Sequence, residues 1–372
     1  MSQIERSYEP VTFADLPGWD TDDHAAALAA FQCSAKRLLE KTAAHTGSAP
    51  GSAPGSASAS PGFLATARAA AATDPASARA FFETNFKPHR VVHNGPGGLL
   101  TGYYEPIIPG SRERTDHYAI PLYNRPADLV NLVEESERGA MAHQYTHMRK
   151  TAAGQEPYAT RADIENGALA GQALEVFWLH DPVDVFFLHV QGSGVIALPD
   201  GSSTRVAYDG KNGHPYTSIG RYLIDEGLFP ADQMTLDALK DWLRANPKLA
   251  SGVLQQNKSF VFFRELVGAE AGSPVGVEEI PLTPGRSLAV DTGFHAIGSP
   301  VYVAAPTLTH ATGPNGTHRG FHRLMVAQDV GSAIRGPERG DLYFGTGNEA
   351  GRLAGNTKHP GTFYVLLAGT PQ

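Results

Sequence analysis

The sequence predicts a mainly β fold with some α structure, in which a helical start leads into many short strands. Two observations carry this. From about residue 98 the chain is a series of alternating or wholly apolar runs bounded by Gly, Pro, Asn and Asp. Helices seldom separate these runs, which favours a barrel over a parallel, doubly wound sheet with a helix in each crossover. The 372 residues suffice for two or so domains with ample core.

Taken in order, the first element is an amphipathic helix over about 22–42. Leu28, Phe31, Ala35, Leu38 and Leu39 recur there at helical spacing, behind Asp20 and Thr21 as possible caps. "HTGSAPGSAPGSASASPG" follows, a short-period Gly, Ser, Ala and Pro repeat with too little apolar side chain to order itself, and is read as a flexible loop over 45–62. A second helical stretch, about 63–87, carries Phe81, Phe82 and Phe86 as core contacts. Strands are expected in "GLLTGYYEPIIPG", "ALEVFWLHDPVDVFFLHVQGSGVIAL" and "TRVAYDG". Residues 216–246 interrupt them with two helices, and strands resume from "KSFVFFREL" through "SLAVDTG", "PVYVAA", "RLMVAQD" and "GDLYFGTG" to "GTFYVLL".

Composition excludes several classes. Lys+Arg is 30 and Asp+Glu 38, a formal net charge of −8, with no basic stripe for a nucleic acid. No apolar run approaches the roughly 20 residues that span a bilayer. The single Cys33 forms no internal bridge, and the 15 histidines show no H-E-x-x-H or similar ligand spacing, so neither metal nor cofactor is expected. The opening "MSQIERSYEP" lacks the basic-then-apolar pattern of an export signal, which leaves a cytoplasmic protein or a chain that starts after an export segment.

Three aspartates at strand ends stand out: Asp291 in "LAVDTG", Asp329 in "MVAQDVGSAIRG" and Asp341 in "RGDLYFGTG". Each alone reads as a turn former, since Asp bonds its own backbone and Gly follows it readily. Grouped carboxyls do something more. Like charges held close cannot all ionise easily, so one keeps its proton to a higher pH and becomes a general acid. Glycosidic cleavage needs such an acid, and aspartic peptidases use a pair that shares one proton. The literal "DTG" at Asp291 suits a peptidase, but the second Asp-Thr/Ser-Gly that such an enzyme needs is missing, because "DVGS" at Asp329 comes too soon and has Val in the hydroxyl position.

Two further motifs could meet a sugar. "HVQGSGVI" offers Gln191 and Ser193 among glycines; Gly192 abuts the serine, so it is not a nucleophile elbow. "GYYEP" offers Tyr103, Tyr104 and Glu105, and on a strand only one tyrosine can face a groove, where its ring would stack on a pyranose.

Together these motifs resemble the membrane-bound lytic murein transglycosylase A family, with its C-terminal three-aspartate domain. The likeness runs in order from "LPGWD" through "FFETNF", "LLTGYYEP", "HVQGSG", "SIGRYLIDEG", "NKSFVFFRE" and "RSLAVDTG" to "AQDVGSAIRG", "GDLYFGTGNEAG" and "YVLL". The resemblance implies a double-psi β-barrel domain built from residues 1–107 and 255–372, an inserted β-rich domain over 108–254, and a glycan groove between them. It also implies non-hydrolytic cleavage of the β-1,4 bond between N-acetylmuramic acid and N-acetylglucosamine, leaving 1,6-anhydro ends. Asp341 matches the catalytic aspartate, and Asp329 and Asp291 match its two companions. Tyr103 or Tyr104, Glu105, Gln191, Ser193, Gly345 and Gly347 become binding candidates.

Peptidoglycan strands are the implied partner, with other cell-wall enzymes as further candidates. The implied location is the periplasm, in association with the outer membrane. Two departures bear on this: neither a signal nor a leading lipid-acceptor Cys stands at the start, and Glu105 occupies a place where some relatives carry a small hydroxyl residue. A different class, a non-catalytic glycan-binding module, would use the same aspartates only to bond sugar hydroxyls.

Overall fold

The computed structural model describes residues 4–45, 60–132, 145–268, 272–309 and 320–369. The Gly/Ser/Ala/Pro repeat lies almost wholly outside these residues. Nine strands make one mixed sheet: β1 (Arg6–Pro10), β2 (Phe86–His93), β3 (Leu99–Glu105), β13 (Ser287–Val290), β14 (Pro300–Ala305), β15 (Phe321–Val330), β16 (Arg339–Thr346), β17 (Lys358–His359) and β18 (Thr362–Ala368). Their hydrogen-bonded order is β1-β2-β18-β14-β15-β13-β16-β3-β17. The pairs β13–β15 and β16–β3 are parallel, so this sheet joins the first hundred residues to the last hundred by crossovers rather than hairpins.

A second, six-stranded sheet holds β4 (Ile107–Ser111), β5 (Ile120–Tyr123), β9 (Glu175–Leu179), β10 (Ser193–Ala197), β11 (Ser203–Lys211) and β12 (Val261–Leu266), in the order β12-β11-β10-β4-β9-β5. A three-stranded sheet of β6 (Leu129–Asn131), β7 (His147–Thr151) and β8 (Gly154–Glu156) accompanies it. The mainly β class with a second β-rich unit, expected from the sequence, is therefore what the chain adopts.

The first helix, α1 (His24–His45), starts where Asp23 accepts from the Ala26 amide at 3.0 Å. Its Ala27, Leu28, Phe31 and Ala35 are all buried. Phe31 meets Phe63, Phe81, Phe82 and Phe86 with ring centroids 5.7–6.1 Å apart, which is why the early helices pack on the nine-stranded sheet. The single helix expected over 63–87 is two, α2 (Pro61–Ala71) and α3 (Ala78–Asn85), because Pro75 cannot continue a helix.

A larger correction concerns the run expected to be all strand around residue 185. The short turn α4 (Arg161–Asp163) precedes β9, and then "PVDVFFLHVQ" forms a helix, α5 (Pro182–Gln191). Asp181 caps it by accepting from the Val183 amide at 2.8 Å, Pro182 opens it, and Gly192 at φ 81° closes it. Burial on nearly all faces hid the helical period. The 216–246 region bears out two helices, α6 (Ile219–Asp225) and α7 (Leu236–Ala245), and α8 (Pro247–Leu254) follows directly. The last helix is α9 (Asn348–Gly355).

Candidate active site

Strand register builds the site. In the nine-stranded sheet Asp329 of β15 and Asp341 of β16 are both register partners of Ala289 on β13, and Asp341 is also the partner of Thr101 on β3. Residues directly across a sheet project to the same face, so Thr101, Asp341, Ala289 and Asp329 form one row. Two strand spacings, on the order of 10 Å, separate the aspartate backbones. The short side chain between them leaves that interval open. One step along, Tyr343 on β16 pairs with Tyr103 on β3, both at i+2 from the row and hence on its face; their rings stand 5.2 Å apart.

This face forms one wall of a cleft of about 450 Å³. Tyr103, Asp329 and Asp341 line it, together with the segment Val330–Arg335 and the loop Val275–Glu279. The opposite wall comes from the six-stranded sheet and α5 through His189, Gln191, Ser193, Tyr208 and Lys211. Lys211 crosses the gap, its Nζ donating to Ser332 Oγ at 2.9 Å.

The two aspartates differ in their partners. Thr101 Oγ1 donates to Asp341 Oδ1 and itself accepts from Arg339 Nη2 at 2.7 Å. Burial raises the proton affinity of Asp341, against the opposing pull of the Arg339 charge and the Thr101 hydroxyl. Arg339, two residues back on the same face, has its own pKa lowered by burial. Burial likewise pushes Asp329 up to about 6. The Val330 amide donates to its Oδ1 at 2.9 Å, and this amide, with the nearby Tyr103 hydroxyl and Val277 amide, favours its charged form, while the Asp341 charge works the other way. The Tyr103 hydroxyl has no partner within hydrogen-bonding geometry among the described residues, and burial beside both carboxyls holds its pKa well above the usual phenol value.

The remaining sequence candidates fall elsewhere. Asp291 is buried just past β13, where its Oδ1 accepts from the Gly293 amide at 3.0 Å and its Oδ2 from the Gly336 amide at 2.9 Å. It ties two turns together behind the site and does not line the cleft. Glu105 is fully buried, with its carboxylate held by Arg205 and by the Thr346 hydroxyl at 2.6 Å, so it joins the two sheets and is not open to a glycan. Tyr104 points the other way from Tyr103, toward α9, where a Cβ on Gly351 would meet its ring at 2.8 Å, and its hydroxyl accepts from Lys240 at 3.2 Å.

Gln191 lines the cleft while its Oε1 accepts from the Tyr104 amide at 3.0 Å, and Ser193 lines it at the start of β10. Gly345, at φ 108°, packs on Pro284, and Gly347 opens α9 with its amide on the Glu105 carbonyl; both stand back from the cleft lining. Sequence reasoning passed over Thr101 and Arg339, although alternation from Tyr103 and from Asp341 places each on the site face. It also passed over His189, whose imidazole is buried against Arg161 with its pKa pushed well below the usual value by that burial and by the guanidinium charge. No group of His, Cys, Asp and Glu among the described residues could hold a metal ion.

Comparison with known proteins places these features in a wider set. Residues 99–264 match the family described as the MltA specific insert domain, and residues 286–367 match the 3D domain. Membrane-bound lytic murein transglycosylase A of Vibrio cholerae is 34% identical over 272 residues, 72% of this chain. The chain's match spans 65% of the length of that relative. Among solved structures, the membrane-bound lytic murein transglycosylase from Agrobacterium tumefaciens is 36% identical with a TM-score of 0.83, covering 97% of this chain and 98% of that one. MltA of Escherichia coli with bound chitohexaose is 27% identical with a TM-score of 0.65, covering 100% of this chain and 94% of that one.

Proposed function

The chain belongs to the family of membrane-bound lytic murein transglycosylase A, and on that footing we propose that it cleaves the β-1,4 bond between N-acetylmuramic acid and N-acetylglucosamine in peptidoglycan without water. The observation that carries this reading is the Asp341 carboxyl. It opens into the cleft, keeps its proton to a higher pH than a free side chain, and is oriented by the Thr101 hydroxyl.

Protonated Asp341 donates to the glycosidic oxygen as the bond from C1 breaks, and the N-acetylglucosamine hydroxyl leaves. The carboxylate so formed takes the proton of the muramyl C6 hydroxyl, whose oxygen bonds C1 and closes the 1,6-anhydro ring. One group serves as acid and then base, and Asp341 ends protonated as it began. No dedicated carboxylate nucleophile is needed, unlike the usual retaining hydrolase. Asp329 tunes the proton affinity of Asp341 through its charge, and Asp291 supports the site from behind. Gln191 and Ser193 contact the glycan from the opposite wall.

In this reading the barrel comprises residues 1–107 and 255–372 and the inserted unit 108–254, with the glycan lying between. Peptidoglycan places the working protein in the periplasm at the outer membrane, and the names of the relatives, membrane-bound, support that setting.

The test is mass spectrometry of muropeptides released from purified peptidoglycan. Products one water lighter than hydrolytic ones, ending in anhydro-muramic acid, are expected. Reducing ends would instead assign a hydrolase, and intact strands that stay bound would assign a binding module.

A further inference from the structure

Behind Asp329 lies a loop in an unfavourable backbone conformation. Glu278 and Glu279 stand consecutively at φ 62° and 59°, the left-handed region that side chains bearing a Cβ seldom enter. Two such residues in succession persist only where their surroundings hold them. Here α1 does so: Arg37 Nε donates to the Glu278 carbonyl at 2.8 Å, Lys41 pairs with the Glu278 carboxylate at 2.8 Å, and Arg37 reaches Glu279 at 3.4 Å. Arg264 of β12 pairs with Glu279 at 3.2 Å from the other side. The loop is also pressed against β15, since a Cβ on Gly276 would meet the Gln328 carbonyl at 2.3 Å. Gln328 in turn is bonded to α1 through the Ala30 carbonyl at 2.8 Å and Ser34 at 2.9 Å.

We infer that Arg37 and Lys41 are positioning residues for the site: from α1 they hold the strained loop at Glu278 and Glu279 so that Val277 and its amide stay beside the Asp329 carboxyl on the cleft wall. The inference deepens the transglycosylase reading and rests on it for its link to catalysis. Other groups face the same carboxyl: Tyr103 from β3, and Asp341 and Tyr343 from β16. Lys211 from β11 bonds Ser332, three residues farther along the chain. None of them is held by α1, so releasing the clamp removes the loop's contribution selectively.

The test follows Asp329 directly, by carboxyl 13C NMR titration of the full chain, alongside the pH profile of turnover. With Arg37→Ala the loop relaxes, the amide withdraws, the charged carboxyl loses support, and its titration moves up by about half to one pH unit. Adding Glu278→Gly, which makes the left-handed conformation easy, returns the titration to the wild-type position. Adding Glu278→Gln instead removes the same charge and keeps the Cβ, and leaves the shift in place. Lys41→Ala, at a partly exposed position, is read if Arg37→Ala does not fold, and gives a smaller shift in the same direction. A wild-type titration in a folded clamp variant, or equal recovery with Gly and Gln, overturns the inference. The transglycosylase reading fails separately, by absence of anhydro products from the wild-type chain, and the titration remains informative in that case.

Discussion

Arg205 grips Glu105 through Nε at 2.6 Å and Nη2 at 3.0 Å, and this pair joins β11 of the six-stranded sheet to the end of β3 in the nine-stranded sheet. The chain itself crosses from one sheet to the other at Pro106, so the ion pair fixes the angle at which the cleft walls leave that crossing. Removing one partner of a buried pair strands the other charge. Glu105→Ala should therefore cost about 3–5 kcal/mol of stability in urea unfolding, and the additional change Arg205→Met should recover part of it. A loss under about 1 kcal/mol would show that water already serves the guanidinium.

Asp341→Asn preserves shape but neither donates nor accepts the reacting proton. Turnover of peptidoglycan should fall to background, while the thermal midpoint and the affinity for glycan strands in a pelleting assay stay near wild type. Undiminished turnover by this variant would remove Asp341 from the mechanism.

Asp329 makes a prediction about stability and pH. Its folded pKa, about 6, lies above the ordinary carboxyl value, so the folded state holds the proton more tightly than the unfolded chain does. Its contribution is full below about pH 4 and is lost as pH rises through about 6. Asp329→Asn should consequently gain thermal stability relative to wild type above pH 6, and show a smaller advantage or none at pH 4. An advantage that does not change with pH would mean that burial does not perturb this group.

Asp291 is predicted to be structural. Asp291→Ala leaves the amides of Gly293 and Gly336 without their acceptor, and each such loss costs about 1–3 kcal/mol where water cannot replace it. Unfolding should shift accordingly, and the fraction that remains folded should still release anhydro products. Complete loss of turnover in well-folded Asp291→Ala would bring this carboxyl into the chemistry, as the peptidase reading of "DTG" requires.

Much of the molecule was legible in residue order alone. Helical spacing from Leu28 to Leu39 marked α1, whereas the break at Pro75 that divides the next helical stretch was passed over. Apolar runs ending in Asp and Gly located β13, β15 and β16 and singled out Asp291, Asp329 and Asp341. What misled was a local pattern with two solutions: "PVDVFFLHVQ" is apolar enough for a buried strand, and only the caps Asp181 and Gly192 declare the helix.

The sequence by itself determined which carboxyls could matter and, through two-residue alternation, that Tyr103 and Tyr104 must part company. Tertiary structure decided which way each went. Register across β3, β16, β13 and β15 set Thr101, Asp341, Ala289 and Asp329 in one row, turned Tyr103 toward it, and sent Tyr104 to α9 and Glu105 to Arg205. Such pairings join residues from 40 positions apart, as Ala289 and Asp329, to 240, as Thr101 and Asp341. They depend on which strand lies beside which, and on how much water each carboxyl then loses, neither of which is encoded in any short stretch of the chain.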